Sequence, residues 1–284
     1  MANIERDEVS GTDTTGHEWD GLKELNTPLP RWWLWTFYAT IIYAVGAWVV
    51  YPSWPTLTTY WKGTSGYSSR VDLTNDLAAQ TQERSVWTKK FAALPITEIA
   101  QDRNLQEVAM AGGKVIFADN CAPCHGSSGT GAPGYPVLAD DDWLWGGSLE
   151  EIETTVRYGI RGAHDDTRVS EMPAFGDDYL TAAQIKSVAG HVLSLSGQGA
   201  SSAEGAEVFE NECAACHGEK GEGGRDFGAP KLNDGLWLYS SAGDDLIAQI
   251  SKPKHGVMPT WEGRLDDVSI KQVSIYVHAL GGGE

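Results

Sequence analysis

Gly113-Lys-Val-Ile-Phe117, three residues, then Cys121-Ala-Pro-Cys124-His125-Gly126: the reading of the chain turns on this stretch and on its near copy 92 residues later. The copy runs Gly205-Ala-Glu-Val-Phe209, three residues, then Cys213-Ala-Ala-Cys216-His217-Gly218. The likeness continues outward in the same order. Gly131-Ala132-Pro133 is followed by Leu138 and Trp143, and Gly228-Ala229-Pro230 by Leu232 and Trp237. Next come Met172-Pro173-Ala-Phe175 and Met258-Pro259-Thr-Trp261. Each copy closes on apolar residues three and four apart, Ile185, Val188, Ala189, Val192 and Leu193 in one, Ile270, Val273, Tyr276, Val277 and Leu280 in the other. That period is helical, and little strand alternation is visible. Two tandem all-α modules are expected, 105–198 and 199–284. Each should open with a helix that ends at its first Cys and packs, through Phe117 or Phe209, on its closing helix.

The paired motif has a chemical reading. A haem of the c type offers two vinyl groups to two thiols, and its iron takes an imidazole from one face. Two residues between the cysteines put both sulfurs on one side of a helical turn, and a His directly after the second Cys then reaches the metal. Zinc would need four ligands, and each cluster has three. A thioredoxin-like dithiol would sit in a βαβ setting, which is absent. All four cysteines of the chain are used by the two motifs. Two covalently bound haem c groups are therefore expected, on Cys121, Cys124 and His125 and on Cys213, Cys216 and His217.

A sixth iron ligand has few candidates. Of four methionines, Met1 is the initiator and Met110 precedes the first Cys, which leaves Met172 and Met258 in matching Met-Pro settings. A thioether raises the potential of haem iron and closes the site, as electron transfer requires. His164, His191, His255 and His278 are the rivals, His255 foremost because it lies three residues from Met258. Pro133 and Pro230 could each offer a carbonyl to orient a ligand His. Arg157 and Arg161 could pair with haem propionates.

Residues 32–51, WWLWTFYATIIYAVGAWVVY, carry no charge. As a helix this run reaches about 30 Å, the thickness of a hydrocarbon core. Trp32, Trp33 and Trp35 stand at one end and Trp48, Tyr51 and Trp54 at the other, an aromatic belt at each interface. No small-x-small cleavage site follows, so an uncleaved anchor over 31–54 is expected rather than a signal peptide. A polar, poorly ordered tail (1–30) precedes it, and a linker (55–104) follows, with an amphipathic helix over 73–94 built on Leu73, Leu77, Val86, Phe91 and Leu94.

The net charge of −18 argues against nucleic acid as a partner. Acids outnumber bases 13 to 5 in 105–198 and 14 to 7 in 199–284, which suits a basic protein partner. Runs such as Asp140-Asp141-Asp142, Glu150-Glu151 and Asp244-Asp245 could ring its docking surface.

Asn26-Thr-Pro-Leu-Pro-Arg-Trp-Trp-Leu-Trp-Thr-Phe-Tyr38, leading into the span, and Tyr51-Pro-Ser-Trp-Pro55 after it resemble the diheme subunit of cbb3-type cytochrome c oxidases, as do the order of the modules and the two Met-Pro sites. The resemblance covers nearly the whole chain. It implies a single-pass protein of the bacterial inner membrane, N-terminus cytoplasmic and haem modules periplasmic. It implies a non-catalytic electron-transfer subunit, fed by a basic cytochrome c. Electrons would pass to the monohaem c subunit and on to the catalytic subunit that reduces oxygen. It also implies His/Met ligation, His125 with Met172 and His217 with Met258. Some members carry a second N-terminal span, whereas this sequence has one. Two other readings stand beside it: a free membrane-tethered shuttle, and a diheme peroxidase with one open iron position.

Overall fold

The computed structural model describes residues 4–284. They form two compact units, one reaching to Glu83 and one from Arg84 to Glu284.

In the first unit, β1 (Thr14–Trp19) and β2 (Leu22–Leu25) make an antiparallel hairpin in which Trp19 faces Leu22 and Glu18 faces Lys23. The turn is Asp20-Gly21 with φ of 49° and 85°, the left-handed pair that a tight two-residue hairpin needs. The tail expected to be poorly ordered is therefore partly folded. Helix α1 (Arg31–Val50) starts after Pro30 and buries no residue; its apolar side chains stand outward all round, as suits a helix solvated by lipid. Its last carbonyls are not left bare. The chain folds back so that Thr64 N donates to Val49 O and Ser65 N to Val50 O (3.1 and 3.0 Å). Gly63 makes this return possible, with φ of 75° and no room for a Cβ against Val50 O.

Helix α2 (Ser69–Ala93) covers the expected 73–94 helix. Leu73, Leu77 and Val86 remain exposed, and Phe91 alone is fully buried. The rest of the second unit is helical: α3 (Ile96–Gln101), α4 (Arg103–Asn120), the single turn α5 (Ala122–His125), α6 (Leu149–Tyr158), α7 (Ala182–Leu195), α8 (Ala203–Glu212), the single turn α9 (Ala214–His217), α10 (Gly243–Ser251) and α11 (Asp267–His278). Side-chain caps start most of the longer ones. Asp102 caps α4, Ser202 caps α8 and Asp266 caps α11, while Ser148 with Glu151 and Thr181 with Gln184 form capping boxes on α6 and α7.

The packing crosses the repeat. The opening helix of the first copy, α4, packs on α11, the closing helix of the second; α8 packs on α7. Phe117 is buried with Ile270, Val273 and Val277, and Phe209 with Ile185, Val188 and Val192. The expectation that each module closes on its own last helix is corrected accordingly. The repeat glycines explain how closely the helices cross. A Cβ on Gly113 would fall under 3.0 Å from Gln272 O, and one on Gly205 under 3.0 Å from Ser187 O. Backbone hydrogen bonds mark the exchange. Ile160 and Met258 bond reciprocally (2.9 and 3.0 Å), and Phe175 N and Gly176 N donate to Ile250 O and Ser251 O (3.3 and 3.0 Å).

A third cluster holds Phe91, Ile96, Ile99, Leu105, Ala109 and Ile275, with Met110 at its margin. Lys271 is buried beside it, and its Nζ donates to Phe91 O and Leu94 O, both at 2.9 Å. It thereby satisfies carbonyls at the C-terminal end of α2 that no helical N–H can reach.

Candidate haem sites

Both Cys-x-x-Cys-His motifs form a single helical turn at the end of a longer helix. Cys121 N donates to Phe117 O and Cys213 N to Phe209 O (2.8 and 2.9 Å), so each motif continues from the helix that carries its repeat Phe. The first Cys of each pair is half-buried and the second exposed. Burial pushes the Cys121 thiol up to about 11, with the neighbouring Cys124 adding to the effect. It does the same to Cys213, where Glu212 and Cys216 add.

The ligand histidines are oriented through Nδ1. His125 Nδ1 lies 3.1 Å from Pro136 O, and His217 Nδ1 lies 3.0 Å from Pro230 O. With each carbonyl accepting, Nδ1 carries the proton and Nε2 is free to bind metal. Burial lowers both imidazole pKa values, against a smaller opposing effect of the carbonyl, so the neutral ligand form is favoured. Of the two expected acceptors, Pro230 holds the role and Pro133 does not, since Pro136 takes its place. Alignment on Gly-Ala-Pro misled. The better frame is Pro136-Val137-Leu138 against Pro230-Lys231-Leu232, in which Leu138 N and Leu232 N donate to Gly129 O and Gly221 O (2.6 and 2.7 Å).

Each Met-Pro segment lies with the motif of the other copy. A cavity of about 190 Å³ is lined by Cys213, Cys216, His217 and Met172, with Phe175, Val192, Leu246 and Ile250 among its walls. Met258 packs instead on the cluster that holds Phe117 and Ile152, on which Cys121 and Trp143 also pack. The resemblance pairs His125 with Met172 and His217 with Met258, whereas Met172 shares a cavity with His217. The reciprocal bonds at Ile160 and Met258 carry each Met loop across to the other motif.

The rival histidines are mostly engaged. His164 Nε2 is 3.0 Å from Glu262, His191 Nδ1 shares a hydrogen bond of 2.7 Å with Ser201 Oγ, and His278 Nε2 is 3.1 Å from Glu284 O. His255 lines the Met172 cavity at its exposed side. Of the two arginines considered for propionates, Arg157 is bound to Glu153, Glu262 and Asp267. Arg161 lines the Met172 cavity, but its Nε and Nη1 donate to Gly256 O and Ser170 O (2.7 and 2.8 Å). It clips the loop before Met258 to the loop before Met172, a role that the sequence did not suggest.

The donor set fits two c-type haems: two thiols on one helical turn, an imidazole with Nε2 free, apolar walls and a thioether on the same cluster. Comparison with known proteins agrees. The family model described as "Cytochrome C oxidase, cbb3-type, subunit III" matches residues 108–192 and 200–277, and that of "N-terminal domain of cytochrome oxidase-cbb3, FixP" matches 11–58. A "Cbb3-type cytochrome c oxidase subunit FixP" of Bradyrhizobium sp. (strain ORS 278) is 52% identical, over 99% of this chain and 98% of the relative. A "Cbb3-type cytochrome c oxidase subunit CcoP" of Cereibacter sphaeroides is 48% identical over 95% of each. Azorhizobium caulinodans has a FixP subunit 47% identical over 98% of this chain and 96% of its own length. With one apolar N-terminal helix long enough to cross a membrane and two copies of the haem-binding repeat, the chain belongs to the cbb3-type cytochrome c oxidase subunit III family, whose cofactors are two covalently bound haem c groups.

Proposed function

We propose that this chain is the diheme electron-entry subunit of a cbb3-type oxidase. It takes electrons from a basic cytochrome c and relays them to the monohaem and catalytic subunits, with its N-terminus in the cytoplasm and its haem modules in the periplasm. Each haem, when bound, supplies a one-electron iron couple. The chain supplies everything that sets that couple. Cys121 and Cys124 would hold one porphyrin and Cys213 and Cys216 the other, the first Cys of each pair half-buried and the second exposed. His125 and His217 bind through Nε2, held by Pro136 O and Pro230 O. The thioethers of Met258 and Met172 would complete the ligand sets, Met258 with His125 and Met172 with His217. A thioether bound to each iron would close it to peroxide and oxygen, which suits electron relay and leaves oxygen chemistry to another subunit.

The carrying observation is that Met172 and His217 line one cavity while Met258 and Cys121 pack on one cluster around Phe117. The test uses variants that keep one haem. With Cys213 and Cys216 replaced by Ser, only the haem on Cys121 and Cys124 remains. Its weak near-infrared band, a mark of methionine on ferric haem, should vanish in Met258→Ala and persist in Met172→Ala. The reverse result would restore pairing within each repeat.

A further inference from the structure

The two haem cradles are built from the same repeat, yet they differ in one donor. Trp143 and Trp237 correspond, each opening a similar stretch, Trp143-Leu144-Trp145 and Trp237-Leu238-Tyr239. Each packs on the cluster that contains the first Cys of its own motif, Trp143 with Cys121 and Trp237 with Cys213. Their indole N–H groups part company. Trp143 Nε1 donates to Gly282 O at 2.9 Å, and Gly282 is itself held by its N–H to Asp140 O at 3.2 Å. Trp237 Nε1 is buried with no hydrogen-bond partner among the described residues.

A buried N–H without an acceptor carries an uncompensated desolvation cost, so such a donor calls for a partner. Trp237 stands in the wall of the cavity that Met172, Cys213 and His217 also line. Basic side chains gather in that wall although the chain as a whole carries −18: Arg161, Lys231, Lys254 and His255. Arg161 is spent on two carbonyls and Lys231 pairs with Asp142, whereas Lys254 and His255 are exposed. An apolar wall with one buried N–H and basic groups at its margin suits an amphipathic macrocycle with anionic carboxylates on one edge.

We propose that the Trp237 indole N–H donates a hydrogen bond to a propionate of the haem held by Cys213 and Cys216, and that the first haem is denied the equivalent bond because Gly282 O takes the Trp143 N–H. The proposal rests on the placement of the second haem in the Met172 cavity. Removing the donor leaves the propionate charge less compensated beside the iron, which favours the ferric state. The midpoint potential of that haem alone should therefore fall.

The test is an optical redox titration of the full-length diheme protein in detergent, with the single-haem variants assigning each potential. Trp237→Phe should lower the potential of the haem on Cys213 and Cys216 and leave the other in place. Trp143→Phe should lower thermal stability and leave the potential of the haem on Cys213 and Cys216 unchanged. Benzothienylalanine at position 237, which keeps the ring shape and lacks the N–H, settles the matter should Trp237→Phe disturb folding. Retention of the near-infrared band in each variant shows that the methionine bond is intact, so a failure of haem placement is read separately from a failure of the hydrogen bond. Unchanged potentials in the benzothienylalanine protein, or an equal fall at both haems, would overturn the proposal.

Discussion

Arg161 shows how much a single side chain decides. Its φ of 51° places it in a left-handed conformation that few non-glycine residues adopt, and its guanidinium bridges Gly256 O and Ser170 O. Those carbonyls belong to the two loops that deliver Met258 and Met172. A cation here is therefore a clip on both thioethers, though it touches neither iron. Arg161→Met, close in length but unable to donate, should leave both haems covalently attached and weaken the near-infrared band at both. It should also speed the binding of added imidazole to ferric iron by roughly tenfold, a factor equivalent to about 1.4 kcal/mol. The conservative Arg161→Lys can serve one of the two carbonyls and should recover part of the loss. Spectra indistinguishable from the parent protein would remove Arg161 from this role.

At the scale of elements, the crossings of α4 with α11 and of α7 with α8 hold the haem cradles. Both are close because Gly113 and Gly205 bring one helix backbone against a carbonyl of the other. Gly113→Ala and Gly205→Ala should each destabilise the second unit by about 1–3 kcal/mol, the usual cost of forcing a methyl group into a packed contact. That loss should appear as a lower midpoint in denaturant unfolding followed through the haem absorbance. Alanine otherwise favours a helix over glycine by about 1 kcal/mol, so an unchanged or raised midpoint would mean that the crossing yields easily. The two variants also report on the exchange itself. Gly113→Ala should perturb the methionine band of the Met258 haem first, because Gly113 lies against α11.

Across the whole molecule, charge decides how a donor arrives. The acidic surplus of both repeats is real, but part of the acid expected to face a partner is used inside the protein. Asp142 is bound to Lys231, Glu151 closes the capping box of α6, and burial raises the Asp140 pKa, helped by Asp142 and Asp141. Asp141, Glu150, Asp244 and Asp245 remain exposed. Exposed charges act over about 8–10 Å at physiological salt. Stopped-flow reduction by a basic cytochrome c should therefore slow at least tenfold as salt rises from about 10 mM to about 0.5 M, while transfer between the two haems should not change. A rate independent of salt would assign the acids to solubility alone.

Much of this protein was legible along the chain, because covalent haem attachment and a membrane span are local events. Two cysteines and a histidine on one turn need no distant residue to declare their chemistry. Twenty uncharged residues between two aromatic belts likewise need none. The helical period of the closing segments and the two candidate methionines were equally open to reading. The partnership of those parts was not. Both copies present the same Gly, the same Phe and the same kind of apolar closing face, so α4 could pack as well on α7 as on α11 by any local rule. The exchange is selected by contacts between residues about 95 to 180 positions apart: the reciprocal bonds of Ile160 with Met258, the Arg161 bond to Gly256 O, and Lys271 against Phe91 and Leu94. The Trp143–Gly282 bond, which makes one cradle unlike the other, is of the same kind. Periodicity and motif spacing describe what a segment can bury and bind; only the folded chain decides which of two equivalent partners it meets.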